Sequence, residues 1–192
     1  MSKPNVRERL LAAGLETLHA RGFNATGVQD IVDAAGVPKG SFYNHFASKD
    51  ALGAEVVQIY AAKAETRLRL LQDTSVPPLV RLRTYFETLN QLGVASGYAH
   101  GCLLGNFSTE LSAQSPAIRD CLRKVFTDWT AAVAVVIAEA QGAGDVPKTT
   151  AASPLAGFLI DAWEGAVMRS KVERSRAPLD AFLTVAFSKI LA

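Results

Sequence analysis

The sequence predicts an all-α protein: a compact N-terminal three-helix unit joined to a larger helical bundle. Three observations carry that expectation. Apolar residues recur at helical intervals along nearly the whole chain, strand-like alternation is nearly absent, and Gly, Pro and Ser cut the periodic stretches at short distances. With 192 residues, 49% of them hydrophobic and 20% charged, the chain can bury a core, which argues against wholesale disorder.

Taken in order, Val6, Leu10, Leu11, Leu15 and Leu18 form a first apolar stripe. Arg7, Glu8, Arg9, Glu16 and Arg21 take much of the other face, and Gly22 stops the helix. Thr26 reads as the N-cap of a second, short helix that closes at Gly36, and Pro38 as the start of a third. Ser48 caps a fourth helix running from Lys49 to about Leu71, broken by Thr74-Ser75-Val76-Pro77-Pro78. From Pro78 the pattern resumes through Leu79, Leu82, Phe86, Leu89 and Leu92 to Ser96-Gly97.

A sixth helix begins near Gly101 and fades at Ser112. Ser115-Pro116 opens a long seventh through Ile118, Leu122, Val125, Trp129 and Val136 to Glu139. Gly142 to Pro147 reads as a surface loop, and two final helices follow, Pro154 to about Lys171 and Pro178 to Leu191. That makes nine helices without an internal repeat. The expected division is a helix-turn-helix unit over 1–48 and a ligand-binding and dimerisation domain over 49–192.

Composition excludes several classes. Twenty Lys and Arg against 18 Asp and Glu leave a net charge of only +2, so a nucleic-acid partner requires a local patch rather than bulk charge. Cys102 and Cys121 make neither a disulfide framework nor a C-x-x-C zinc pair. The N-terminus leads into a charged amphipathic segment, and the longest apolar runs fall short of the ~20 residues a bilayer span needs, so a cytoplasmic setting is expected. His19, His45 and His100 are widely separated, and no catalytic triad, metal-ligand set or phosphate loop is present, so no enzyme, cofactor or metal site is expected.

The informative stretch runs from Thr26 to Lys49. Two short helices joined by a turn holding Gly36 make a helix-turn-helix, with Ile31, Ala35, Val37, Phe42 and Phe46 locking the pair together. The second helix is too short to stand alone in water, so packing must hold it. From Val37 to Lys49 there is no carboxylate, while Lys39, Ser41, Tyr43, Asn44, His45 and Lys49 all offer donors. A solvated helix normally mixes signs, whereas a helix entering a major groove must shed acids because phosphates line both edges. Gly40 lets the backbone approach DNA closely, and Tyr43 suits a thymine methyl or a phosphate. On charge pattern alone, a short surface helix that simply lacks acids stays open as the alternative.

The residues themselves tip the balance. Gly22-Phe23, Thr26, Asp30-Ile31, Ala34-Ala35-Gly36-Val37, Lys39-Gly40, Phe42-Tyr43, His45-Phe46 and Ser48-Lys49 form an ordered signature. It resembles the DNA-binding domain of the TetR (tetracycline-repressor-like) family of transcriptional regulators. The resemblance implies a homodimer whose third helix enters the major groove, and a C-terminal bundle that binds a small-molecule inducer. By position it implies phosphate contacts for Thr26, Tyr43, His45 and Lys49. Lys39, Gly40, Ser41 and Asn44 would face the groove, and Val28 and Gln29 would open the preceding helix. Gly27 and Val32 depart from the usual residues, Val32 at a place that sets the angle between the two helices. A packing role for His45, a solvated one for Lys49 and a phosphate or water contact for Asn44 are the alternatives.

In the bundle, Tyr85, Phe107, Phe126, Trp129 and Trp163 either line a pocket or fill the core. Cys102 stands at a helix start, where the dipole favours a thiolate, with His100 two residues before it. Gly101-Cys102-Leu103-Leu104-Gly105-Asn106 through Glu110-Leu111 resembles the regulatory domain of the TetR branch that includes the repressor of N-ethylmaleimide reductase. There, cysteine modification releases DNA. Either Cys102 senses an electrophile, or Gly101 and Cys102 are small packing residues and the inducer binds without a covalent bond. Leu155, Phe158, Leu159, Ala162, Trp163, Ala166 and Val167, with Leu179, Phe182, Leu183, Ala186, Phe187 and Ile190, offer stripes wide enough for a dimer interface or for burial in one subunit. The functional expectation is an inducer-responsive regulator, most often a repressor, on an inverted-repeat operator. A helical ligand-binding protein without DNA binding, or a thiol-dependent enzyme, stands as the alternative.

Overall fold

The computed structural model describes residues 4–192, and helices are the only regular elements among them. They are α1 (Val6–Arg21), α2 (Val28–Ala35), α3 (Lys39–Tyr43), α4 (Lys49–Gln72), α5 (Pro78–Ala95), α6 (Leu103–Leu111), α7 (Pro116–Ala143), α8 (Ala152–Glu173) and α9 (Ala177–Val185). After α9 the chain widens into a π-helical stretch, Ala186–Ile190, where the Leu191 N–H donates to the Ala186 carbonyl. Two compact units result. The first runs to Lys63 and takes in Cys102–Val125; the second is Ala64–Gly101 with Phe126–Ala192. Compactness thus groups the start of α4, all of α6 and the first turns of α7 with the helix-turn-helix.

In the first unit α1 buries Leu10, Leu11, Leu15 and Leu18. Its start carries a reciprocal cap that the periodicity did not reveal: Glu8 N–H donates to Asn5 Oδ1, and Asn5 N–H to Glu8 Oε2, both at 2.9 Å. Ser48 caps α4 as expected, its hydroxyl accepting from the Ala51 N–H at 3.1 Å. Ile118, from α7, and Phe23 pack against Gly53 so closely that a Cβ there would lie 3.0 Å from Ile118 and 2.8 Å from Phe23.

In the second unit α5 turns Leu82, Tyr85, Phe86 and Leu89 inward, while Leu92, expected on the same stripe, is exposed near the end of the helix. Phe86 meets Phe182 edge to face at 5.0 Å. Asn90 is buried and bonded through both its oxygen and its nitrogen: its Oδ1 accepts from the Trp163 indole at 2.8 Å, and its amide donates to the Leu179 carbonyl at 3.5 Å. One side chain thereby ties α5 to α8 and α9 and removes buried polar groups that would otherwise destabilise the core. Arg81, also buried, donates to the Leu71 carbonyl at 2.7 Å and pairs with Glu139. In the turn after α4, hydrogen bonds from the Ser75 hydroxyl and then its backbone N–H hold the Asp73 carboxyl below its usual pKa.

Two helices overrun their expected ends. α7 continues past Glu139 to Ala143, and α8 begins at Ala152 rather than Pro154. The loop between them is pinned: Gln141 donates to the carbonyls of Pro147 and Thr150 at 3.0 and 2.8 Å, and Val146 is buried.

Candidate nucleic-acid interface

Local chemistry places α2 and α3. The expected N-cap of α2 was Thr26, and the structure corrects this by one residue. Gly27 is the cap, and the Asp30 carboxylate reaches back to accept its N–H at 2.7 Å. Thr26 is instead drawn inward, 1% exposed, its hydroxyl donating to the Gly22 carbonyl at 2.7 Å. At the far end Gly36 sits at φ 63°, a left-handed turn that glycine adopts without the Cβ penalty. Arg9 of α1 donates to the carbonyls of Ala35 and Gly36 at 2.6 and 2.8 Å, placing a cation at the negative end of α2. Ile31, Val32 and Ala35 are buried, so Val32 belongs to the packing that fixes the angle of α2.

Pro38 lies one residue outside α3, as its N-cap, and its carbonyl accepts from the Ser41 N–H at 2.9 Å. α3 has five residues, far below the length at which a helix persists alone, and Phe42 and Phe46 anchor it. Both rings are buried, 5.6 Å apart, with Arg7 over Phe46 at 5.3 Å. Tyr43 leans edge-on to Phe42 at 5.3 Å yet remains 58% exposed.

The outward face is therefore defined. Lys39, Gly40, Tyr43, Asn44 and His45 are exposed and Ser41 half-buried, with Asn44 and His45 just past the last turn of α3. On α2, Val28 is half-buried and Gln29 exposed, the Gln29 amide donating to Asp33 at 2.8 Å. A Cβ built on Gly40 meets nothing within 4 Å. Lys49 does not join this face: its ammonium donates to the carbonyls of Phe23 and Thr26 at 2.9 and 2.8 Å, and lies 4.2 Å from the Phe23 ring centre.

The candidate ligand residues fall into separate groups. Phe126 stacks on Trp129 at 6.2 Å, and Trp129 meets Trp163 edge-on at 5.7 Å, all in the second unit. Tyr85, in the same unit, packs edge-on to Phe86. Phe107 belongs to the first unit and packs edge-on against Phe23 at 5.6 Å. Cys102 is the N-cap of α6, buried, and receives the Tyr60 hydroxyl at 3.8 Å; Tyr60 in turn meets the His19 ring edge-on at 5.5 Å. Half-buried His100 lies in the second unit, just before the division between Gly101 and Cys102. Cys121 is half-buried, with the Gln58 amide 3.8 Å from its sulfur. Tyr60 was missed because no spacing connects residues 42 positions apart.

Donors without carboxylates, turned outward from a helix too short to exist unless clamped, make this three-helix unit a DNA-reading head of the helix-turn-helix class. Known proteins agree. Residues 10–56 match the model of bacterial regulatory proteins of the tetR family, and residues 78–186 match the tetracyclin repressor-like C-terminal domain. The HTH-type transcriptional repressor DhaR of Mycobacterium sp. (strain GP1) is 42% identical over 192 residues, covering 100% of this chain and 95% of its own. The crystal structure of regulatory protein TetR from Rhodobacter sphaeroides superposes with a TM-score of 0.89 at 33% identity, covering 97% of this chain and 99% of that one. Reduced E. coli NemR superposes at 0.84 with 30% identity, covering 97% of each chain. The chain belongs to the TetR family: it is a DNA-binding transcriptional regulator, and that family is one of regulators rather than enzymes. Among the described residues no helix is long and apolar enough to cross a membrane.

Proposed function

We propose that this chain is a repressor that binds an inverted-repeat operator as a homodimer in the cytoplasm and leaves it when a small molecule enters the C-terminal domain. The observation that carries the reading is the outward face of α3, where Lys39, Gly40, Tyr43, Asn44 and His45 are exposed and no acid lies between Val37 and Lys49. Lys39, Gly40, Ser41 and Asn44 face base edges; Tyr43 and His45 take phosphates; Val28 and Gln29 stand at the groove edge. Thr26 and Lys49 serve the same end from inside, by fixing the turn before α2. In this assignment residues 1–48 read DNA, and 49–192 dimerise and bind the inducer.

The outer sides of α8 and α9 supply the dimer surface. Phe158, Met168, Val172 and Val185 are exposed there, beside a groove of about 340 Å³ that Ala162 and Gly165 also line. Exposed apolar side chains flanking small ones suit close helix packing across a two-fold axis. Leu159, Phe182 and Ala186 are buried at the floor of that groove, while Trp163, Leu179 and Leu183 turn inward and complete the core of one subunit instead.

The inducer site is the aromatic group of Phe126, Trp129 and Trp163 with Tyr85. The buried Trp129 indole N–H has no acceptor among the described residues, which suits an apolar compound carrying a carbonyl or carboxylate. A covalent reading, with Cys102 as an electrophile sensor and His100 beside it in sequence, draws support from the helix-start position of the thiol and the Tyr60 hydroxyl near its sulfur.

A mobility-shift titration on the DNA flanking its own coding region tests the proposal. Binding that weakens steeply with salt, and is reversed by small apolar carbonyl compounds, supports it. Absence of binding at low salt overturns it. If Cys102→Ser responds to every electrophile as the parent does, the thiol reading falls and the non-covalent one stands.

A further inference from the structure

The turn between α1 and α2 is gripped from two sides, and the second grip comes from α6. This segment, Gly22 to Thr26, aims everything after it, because Gly27 caps α2 directly. Its carbonyls are held by Lys49, which donates to Phe23 and Thr26 at 2.9 and 2.8 Å. Its exposed N–H at Asn24 donates to the Glu110 carboxylate at 2.8 Å, across 86 residues of sequence. Gly22 makes that approach close: it sits at φ 90°, and a Cβ on it would lie 2.8 Å from Glu110 Oε1. One helical turn earlier, Phe107 packs edge-on against Phe23 and is fully buried. A carboxylate on a backbone N–H and an ammonium on backbone carbonyls are charge-matched hydrogen bonds, stronger than neutral ones.

We infer that Glu110 is a positioning residue for operator binding: with Phe107 it holds the α1–α2 turn from α6, and so sets the pose in which α2 and α3 meet DNA. Glu110 touches no base or phosphate itself. α6 belongs to the compact unit that contains the helix-turn-helix. The inference rests on the reading of α3 as the DNA-facing helix.

The test compares the full-length parent with Glu110→Ala and Glu110→Gln by fluorescence anisotropy, on a labelled duplex copied from the DNA flanking its own coding region. Amide exchange at Asn24 is measured by NMR on the same proteins. Glu110→Ala should bind about tenfold more weakly, the scale of one lost charge-assisted hydrogen bond. Its Asn24 amide should exchange faster. Glu110→Gln, which keeps an acceptor oxygen at the same reach, should restore both readouts to within roughly threefold of the parent. Unchanged Asn24 exchange in Glu110→Ala, parental affinity in that variant, or a loss that glutamine does not repair overturns the inference. A parent that ignores the duplex overturns the DNA-binding reading too, whereas a parent and Glu110→Ala that bind equally overturn this inference alone.

Discussion

Gly40→Ala separates what the fold needs from what a bound duplex needs. Gly40 is the second residue of α3, its backbone is helical, and a Cβ built on it meets no atom within 4 Å. Within the protein alone the substitution is favourable. Alanine outranks glycine in a helix by about 0.5–1 kcal/mol, because it loses less backbone freedom on folding. For a chain of this length that raises the melting midpoint by roughly 1–4 °C. At the DNA the sign reverses. In the proposed complex the added methyl group, on the exposed surface beside Lys39, holds the backbone off the base edges. Loss of one good base contact removes about 1–3 kcal/mol, roughly 5- to 150-fold in affinity. Thermal melting by circular dichroism and anisotropy titration on operator DNA read the two effects separately. A variant that melts higher and binds the operator as tightly as the parent refutes the reasoning, since nothing would then approach α3 at Gly40.

Other substitutions probe neighbouring parts. Tyr43→Ala should weaken binding to specific and non-specific duplexes alike by about 1 kcal/mol, whereas Asn44→Ala should also alter sequence preference; competition titrations distinguish the two. Gly36→Ala forces a Cβ into the left-handed region, 3.0 Å from the Arg9 guanidinium, and should destabilise the DNA-binding head by about 1–2 kcal/mol in chemical denaturation. Phe158→Asp places a charge in the proposed two-fold interface and should yield a monomer in sedimentation at micromolar concentration; a dimer of parental stability would move the interface elsewhere.

Much of the fold was legible because its signals are local. Helical periodicity, the Ser48 cap, the Gly36 turn and the Pro77-Pro78 break each act within a few residues, and each stands where the pattern put it. The inward aromatic anchors Phe42 and Phe46 were equally plain, since a five-residue helix needs them. What escaped was long-range. Thr26 has the composition of a cap, but its hydroxyl finds the Gly22 carbonyl and the chain buries it, while Asp30 supplies the capping interaction at Gly27. Lys49 reads as a phosphate contact or a solvated first-turn lysine, yet it closes on carbonyls 23 and 26 positions away. Phe107 was grouped with the bundle aromatics because they share a composition, and its partner Phe23 lies in the DNA-binding head. Tyr60 gave no signal at all, and Glu110 stood out only as part of the resemblance over 101–111, because their partners are set by packing between distant segments.

The most direct measurement is a major-groove methylation-interference footprint of the full-length protein on the DNA flanking its own gene. The account predicts two interference patches related by a two-fold axis, on one face of the duplex, centred about 34 Å or a multiple of that apart. A single patch, or interference confined to the minor groove, contradicts it.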